Sequence, residues 1–74
     1  MKKAVKEFIE IAKSCERNGD FDIYDKLCEQ IYNILYELST TCNAPRDWRE
    51  LAEELAEEYQ SEKIFDDIKL YEFI

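Results

Sequence analysis

Seventy-four residues, a formal net charge of −8 and no histidine narrow what this chain can be. A chain of this length makes one domain, residues 1–74, that buries about 60% of its unfolded surface and so keeps only a small net stability. The missing histidine removes the commonest general base, the Ser–His and Cys–His pairs and most catalytic zinc sites, and a single glycine leaves no phosphate-cradling loop.

The charge is unevenly placed. Residues 1–18 carry five Lys/Arg against three Glu, whereas residues 19–74 carry five against fifteen Asp/Glu. Such a field repels nucleic acid and anionic membrane and attracts basic protein surfaces. Three cysteines without a CxxC pair suit a reducing compartment, where thiols serve as small hydrophobes. The segment 7-EFIEIAKSCE-16 is broken by charge and gives no signal-peptide core. A cytoplasmic, soluble protein is expected.

One Gly and one Pro leave little turn chemistry, and ample aromatic residues argue against disorder. The predicted fold is all-α, a small bundle of three long helices plus a short C-terminal helix. The first helix spans residues 2–17, with Val5, Phe8, Ile9, Ala12 and Cys15 at helical spacing. It stops at 18-NG-19, where Asn18 and Gly19 suit the left-handed conformation. Asp20 or Asp22 then caps the second helix, and Asp25 falls in its first turn.

The second helix, about Asp22 to Ser39, carries two apolar rows. Leu27, Ile31, Ile34, Leu35 and Leu38 form the expected core stripe, while Tyr24, Cys28, Tyr32 and Tyr36 step by four beside it. Together the rows cover roughly 220° of the circumference, wider than a surface helix needs. The helix is therefore either central or in contact with something outside the bundle.

The segment 39-STTCNAP-45 reads as a loop, with Cys42 as an idle surface thiol and Pro45 in the first turn of the next helix. That third helix, about Pro45 to Ser61, directs Trp48, Leu51, Ala52, Leu55 and Tyr59 inward and Glu50, Glu53, Glu54, Glu57 and Glu58 outward. Arg46 and Arg49 lie along one edge. The last stretch, 62-EKIFDDIKLYEFI-74, is read as a shorter fourth helix with Ile64, Phe65, Ile68 and Tyr71 on one face, although 68-IKLYEFI-74 also fits a short strand. Phe73 and Ile74 are left either docked on the core or exposed.

Carboxylates three or four residues apart on a helix lie about 5–6 Å from each other. Glu50, Glu53, Glu54, Glu57 and Glu58, with Glu62, Asp66 and Asp67, could present a negative strip to a groove built for phosphates. The plain alternative is a solvated face of good helix formers. The tyrosine row divides in the same way: Tyr24, Tyr32 and Tyr36, with Phe73, are either packed inside or anchors of an interface. Asp66 and Asp67 followed by Lys69 faintly suggest a metal-dependent nuclease cluster, but adjacent Asp residues on a helix point apart. No catalytic, metal or cofactor site is assigned, and an enzyme is not expected.

The run 47-DWRELAEEL-55 resembles a helix of death domains, in which the Trp and Leu residues of such a run sit in the core. Its LAEEL also looks like the first helix of helix-turn-helix proteins, but no basic recognition helix follows. Each resemblance covers part of one helix and assigns no family. In size, charge and lack of catalytic residues the chain is similar to small acidic inhibitors of phages and mobile elements, including anti-CRISPR proteins and DNA mimics, and to acidic immunity proteins. That similarity of type implies a protein-binding inhibitor that occupies the basic, nucleic-acid-binding site of a target. The alternative is a self-associating or adaptor module, a homodimer for instance, using the tyrosine-rich second helix.

Overall fold

A computed structural model describes residues 2–41 and 45–74. It contains α1 (Lys2–Arg17), α2 (Phe21–Thr40), α3 (Pro45–Tyr59), α4 (Lys63–Ile68) and a single 3-10 turn, Leu70–Phe73. The all-α fold is as expected, and no strand occurs among the described residues. The reading of Cys42 as a surface thiol lies outside them.

Helices α1 and α2 form an antiparallel hairpin. Gly19, at φ 82°, takes the left-handed conformation that lets the chain reverse. The Asp20 N–H then donates to the Cys15 carbonyl at 2.8 Å and the Gly19 N–H to the Glu16 carbonyl at 3.1 Å. This is the paired bonding that satisfies the last carbonyls of a helix. Helix α2 begins at Phe21, one residue before the expected start, and the Asp20 side chain makes no capping bond. Instead the Asp20 carbonyl accepts the Tyr24 N–H at 2.9 Å. At its other end the Thr41 N–H and hydroxyl both donate to the Glu37 carbonyl, at 3.0 and 2.7 Å, and close the helix.

The buried row of α2 is Tyr24, Cys28, Ile31 and Leu35. It lies between the two rows read from the sequence, so Leu27, Ile34 and Leu38 are only half-buried. Val5, Ile9 and Ala12 of α1 face this row, and Leu51, Ala52, Leu55 and Tyr59 of α3 close the same core. Trp48 sits half-buried at its margin. Helix α3 ends at Tyr59, two residues earlier than expected.

The C-terminal stretch departs from a continuous fourth helix. The chain turns at Lys69, whose φ of 61° breaks the helix after Ile68. The break re-aims the chain so that Leu70 and Phe73, three residues apart and aligned by 3-10 spacing, join Ile64 and Ile68 in the core. Burial of two large apolar side chains outweighs the roughly 1–2 kcal/mol that a left-handed residue costs. Tyr71 is turned outward instead of lying on the inner face, and Ile74 is exposed. Among the described residues no helix is long and apolar enough to cross a membrane.

Candidate functional site

The five glutamates read as one acidic face are divided by the fold. The core row of α3 is offset so that Glu54 and Glu58 lean toward α1. There the Lys6 ammonium lies 2.8 Å from Glu54 Oε1 and 3.0 Å from Glu58 Oε2, and Lys2 also pairs with Glu54. Further along the seam Lys13 pairs with Glu62 at 2.8 Å, and the Tyr59 hydroxyl donates to Glu10 Oε1 at 3.0 Å. Hydrogen bonds to Lys2 and Lys6 hold the Glu54 carboxyl below its usual range, and Glu54 and Glu58 hold the Lys6 ammonium above its own. The basic N-terminal helix is thus the counter-charge of α3. Three of the expected strip residues, Glu54, Glu58 and Glu62, belong to an internal seam.

Glu53 and Glu57 are exposed and make no ion pair among the described residues. Glu50 is exposed and only loosely paired, 3.6 Å from Arg46 Nε. At spacings of three and four these three share the outer surface of α3. Asp66 and Asp67 do not extend them. Asp66 is exposed on α4, and Asp67 accepts from the Tyr24 hydroxyl at 2.5 Å and from Lys63 at 2.7 Å. Burial alone would raise the Asp67 carboxyl, but these two donors outweigh it and hold the carboxyl low. Those same bonds commit Asp67 to structure, and no metal-holding group of three or more His, Cys, Asp or Glu occurs among the described residues.

The tyrosine row is an internal seam as well. Tyr24 is 1% exposed and therefore a core residue, not an interface anchor. Burial first, then its bond to Asp67, pushes its hydroxyl far above the ordinary tyrosine range. Tyr32 is half-buried, donates to Glu72 Oε2 at 2.9 Å, and places its ring 5.3 Å from that of Phe73. Phe73 is itself in the core. Of the row only Tyr36, 54% exposed, remains open to solvent.

The surface that sequence reasoning missed is on the other side of the hairpin. On α1 the edge carrying Lys6 and Lys13 meets α3, and on α2 the edge carrying Tyr32 meets the C-terminal turn. Both edges lie at the same rotational sense from their core rows. In antiparallel neighbours equal rotation leads to the same side of the pair. The opposite edges, Ala4, Phe8, Ile11 and Cys15 of α1 with Ile23, Leu27 and Ile34 of α2, therefore share the outer side. Phe8, Ile11 and Ile23 are 40%, 51% and 52% exposed there, and the others, apart from exposed Ala4, are half-buried. The signal was present in the width of the apolar arc on α2. One flank of that arc is covered by the C-terminal segment and the other is uncovered.

No family model matches this chain, and neither a curated protein nor a solved structure matches it.

Proposed function

We propose that this protein is a non-enzymatic, protein-binding inhibitor of the DNA-mimic or anti-CRISPR type. Its outer α3 carboxylates, Glu50, Glu53 and Glu57, occupy a basic nucleic-acid-binding site on a target protein. The observation that carries this reading is their exposure: the α1 lysines are engaged by Glu54, Glu58 and Glu62, so Glu53 and Glu57 have no ion pair among the described residues and Glu50 only the loose one to Arg46, on a chain of net charge −8. A row of carboxylates about 5–6 Å apart offers a cationic groove what a phosphate strand offers, and association gains from steering and counterion release. The short length of the row sets the footprint at about two turns of helix.

The test is capture from host lysate on immobilised protein, eluted first by a salt gradient and then by competing DNA. The parent protein is expected to release a basic protein with either eluent. The triple variant Glu50→Gln, Glu53→Gln, Glu57→Gln is expected to capture far less of it. Capture that ignores salt, DNA and the triple variant would sink this reading.

A further inference from the structure

The first two turns of α3 enclose a cavity against the end of α2 and the start of α1. It measures about 380 Å³, and most of its lining is apolar, with Leu38 from α2 and Trp48 and Leu51 from α3. Trp48 is half-buried, so part of its ring stays open to an occupant. Asp47 and Glu50 also line the cavity and are exposed. They stand one turn apart, about 5–6 Å, beside the Trp48–Leu51 row.

The charge at the cavity is negative. Lys2 is its only cationic liner among the described residues, and its ammonium is taken by Glu54. Asp47 makes no ion pair among the described residues, and Glu50 has only the loose contact with Arg46 at 3.6 Å. One turn of an α-helix, about 10 Å across and 5.4 Å high, already displaces about 400 Å³. The occupant that fits is therefore a single side chain. Apolar walls call for a long apolar stem, and an indole face beside two carboxylates calls for a planar cation at its tip. Arginine has both, stacks on tryptophan and is more weakly hydrated than lysine. An anion is repelled here.

We propose that this cavity holds one arginine side chain of the basic target, with its stem against Leu38 and Leu51 and its guanidinium on the Trp48 ring between Asp47 and Glu50. The inference rests on the acidic-row reading, which makes the target basic. Glu50 belongs both to that row and to the cavity, so the arginine lies at one end of the same contact. The row supplies charge attraction, and the cavity supplies the preference for arginine over lysine.

Trp48 is the single tryptophan of the chain, so its emission reports the cavity directly. The full chain is titrated at low salt with acetylated tetra-arginine amide and, separately, with the tetra-lysine peptide of equal charge, by fluorescence and by calorimetry. Tetra-arginine is expected to shift the Trp48 emission saturably and to bind about threefold or more tighter than tetra-lysine. Asp47→Asn is expected to weaken tetra-arginine about threefold, and Trp48→Leu, followed by calorimetry, to abolish the preference. Glu53→Gln with Glu57→Gln is expected to weaken both peptides alike and leave the preference intact. Equal affinities for the two peptides overturn the proposal, as does indifference to Asp47→Asn. Binding that depends on Glu53 and Glu57 while Trp48 stays silent overturns the cavity and leaves the row standing. Failure of both peptides to bind also overturns the cavity, and the row is then decided by the lysate capture alone. A Trp48 response to acetyl-norleucine amide equal to that for acetyl-arginine amide assigns the cavity to an apolar side chain and overturns the proposal.

Discussion

Replacing Tyr24 with Phe removes one oxygen from a polar contact made by a fully buried side chain. Its hydroxyl donates to Asp67 Oδ2 at 2.5 Å, joins α2 to α4, and belongs to a side chain that is fully enclosed. A hydrogen bond to a charged acceptor contributes about 1.5–3 kcal/mol. Asp67 keeps Lys63 at 2.7 Å and is 32% exposed, so the loss falls at the lower end, about 1–2 kcal/mol. For a domain of this size that is a fall in Tm of about 4–8 °C per kcal/mol. The loss carries a pH signature. Asp67 titrates below its unfolded value, so its contribution is complete above about pH 4 and disappears as the pH falls through the folded value. Urea unfolding of the parent, Tyr24→Phe, Asp67→Asn and the double variant, at pH 7 and again near pH 3, measures the coupling directly. The two residues should couple by about 1 kcal/mol or more at pH 7 and less at the lower pH. A Tyr24→Phe protein as stable as its parent at pH 7, or a coupling independent of pH, would refute the latch between α2 and α4.

The hairpin turn and the α1–α3 seam make two further predictions. Gly19→Ala places a Cβ in open space, so its expected loss of about 1–2 kcal/mol comes from the positive φ alone; Gly19→Asn, which tolerates that conformation, should lose less, and equal denaturation midpoints for the Gly, Ala and Asn proteins would contradict the assignment. Lys6→Gln should lower the Tm at low salt, with the gap closing in high salt as screening shortens the reach of the seam. Because the Lys6 value is raised and the Glu54 value lowered by their pairing, the gap should be full from about pH 4 to about pH 10. It should vanish as the pH falls through the folded Glu54 value or rises through the folded Lys6 value, and a pH-independent gap would remove the seam from the account.

Local chemistry made much of this protein legible in its sequence. The helices of α1, α2 and α3 follow from apolar spacing, Asn18–Gly19 from its fit to the left-handed residue that ends α1, and Pro45 from its fit to a first turn. These features depend on neighbours within four residues, and the chain carries that information directly. The all-α outcome follows in the same way from a composition almost devoid of turn residues.

Tertiary packing decided which charges and which aromatics stay free. Glu50, Glu53, Glu54, Glu57 and Glu58 look equivalent along one helix, but only the orientation of α3 against α1 assigns Glu54 and Glu58 to Lys2 and Lys6. Tyr24 and Tyr36 occupy one row at a spacing of four, but the drift of that row around α2 carries the first into the core and the last into solvent. The break at Lys69 was invisible for the same reason. Nothing near it in sequence demands a positive φ, and only the burial of Leu70 and Phe73 beneath α2 and α3 justifies one. Helical spacing alone determines that α2 has more apolar surface than one neighbour can cover. Which flank is covered is set by where the last twelve residues, 63–74, come to rest.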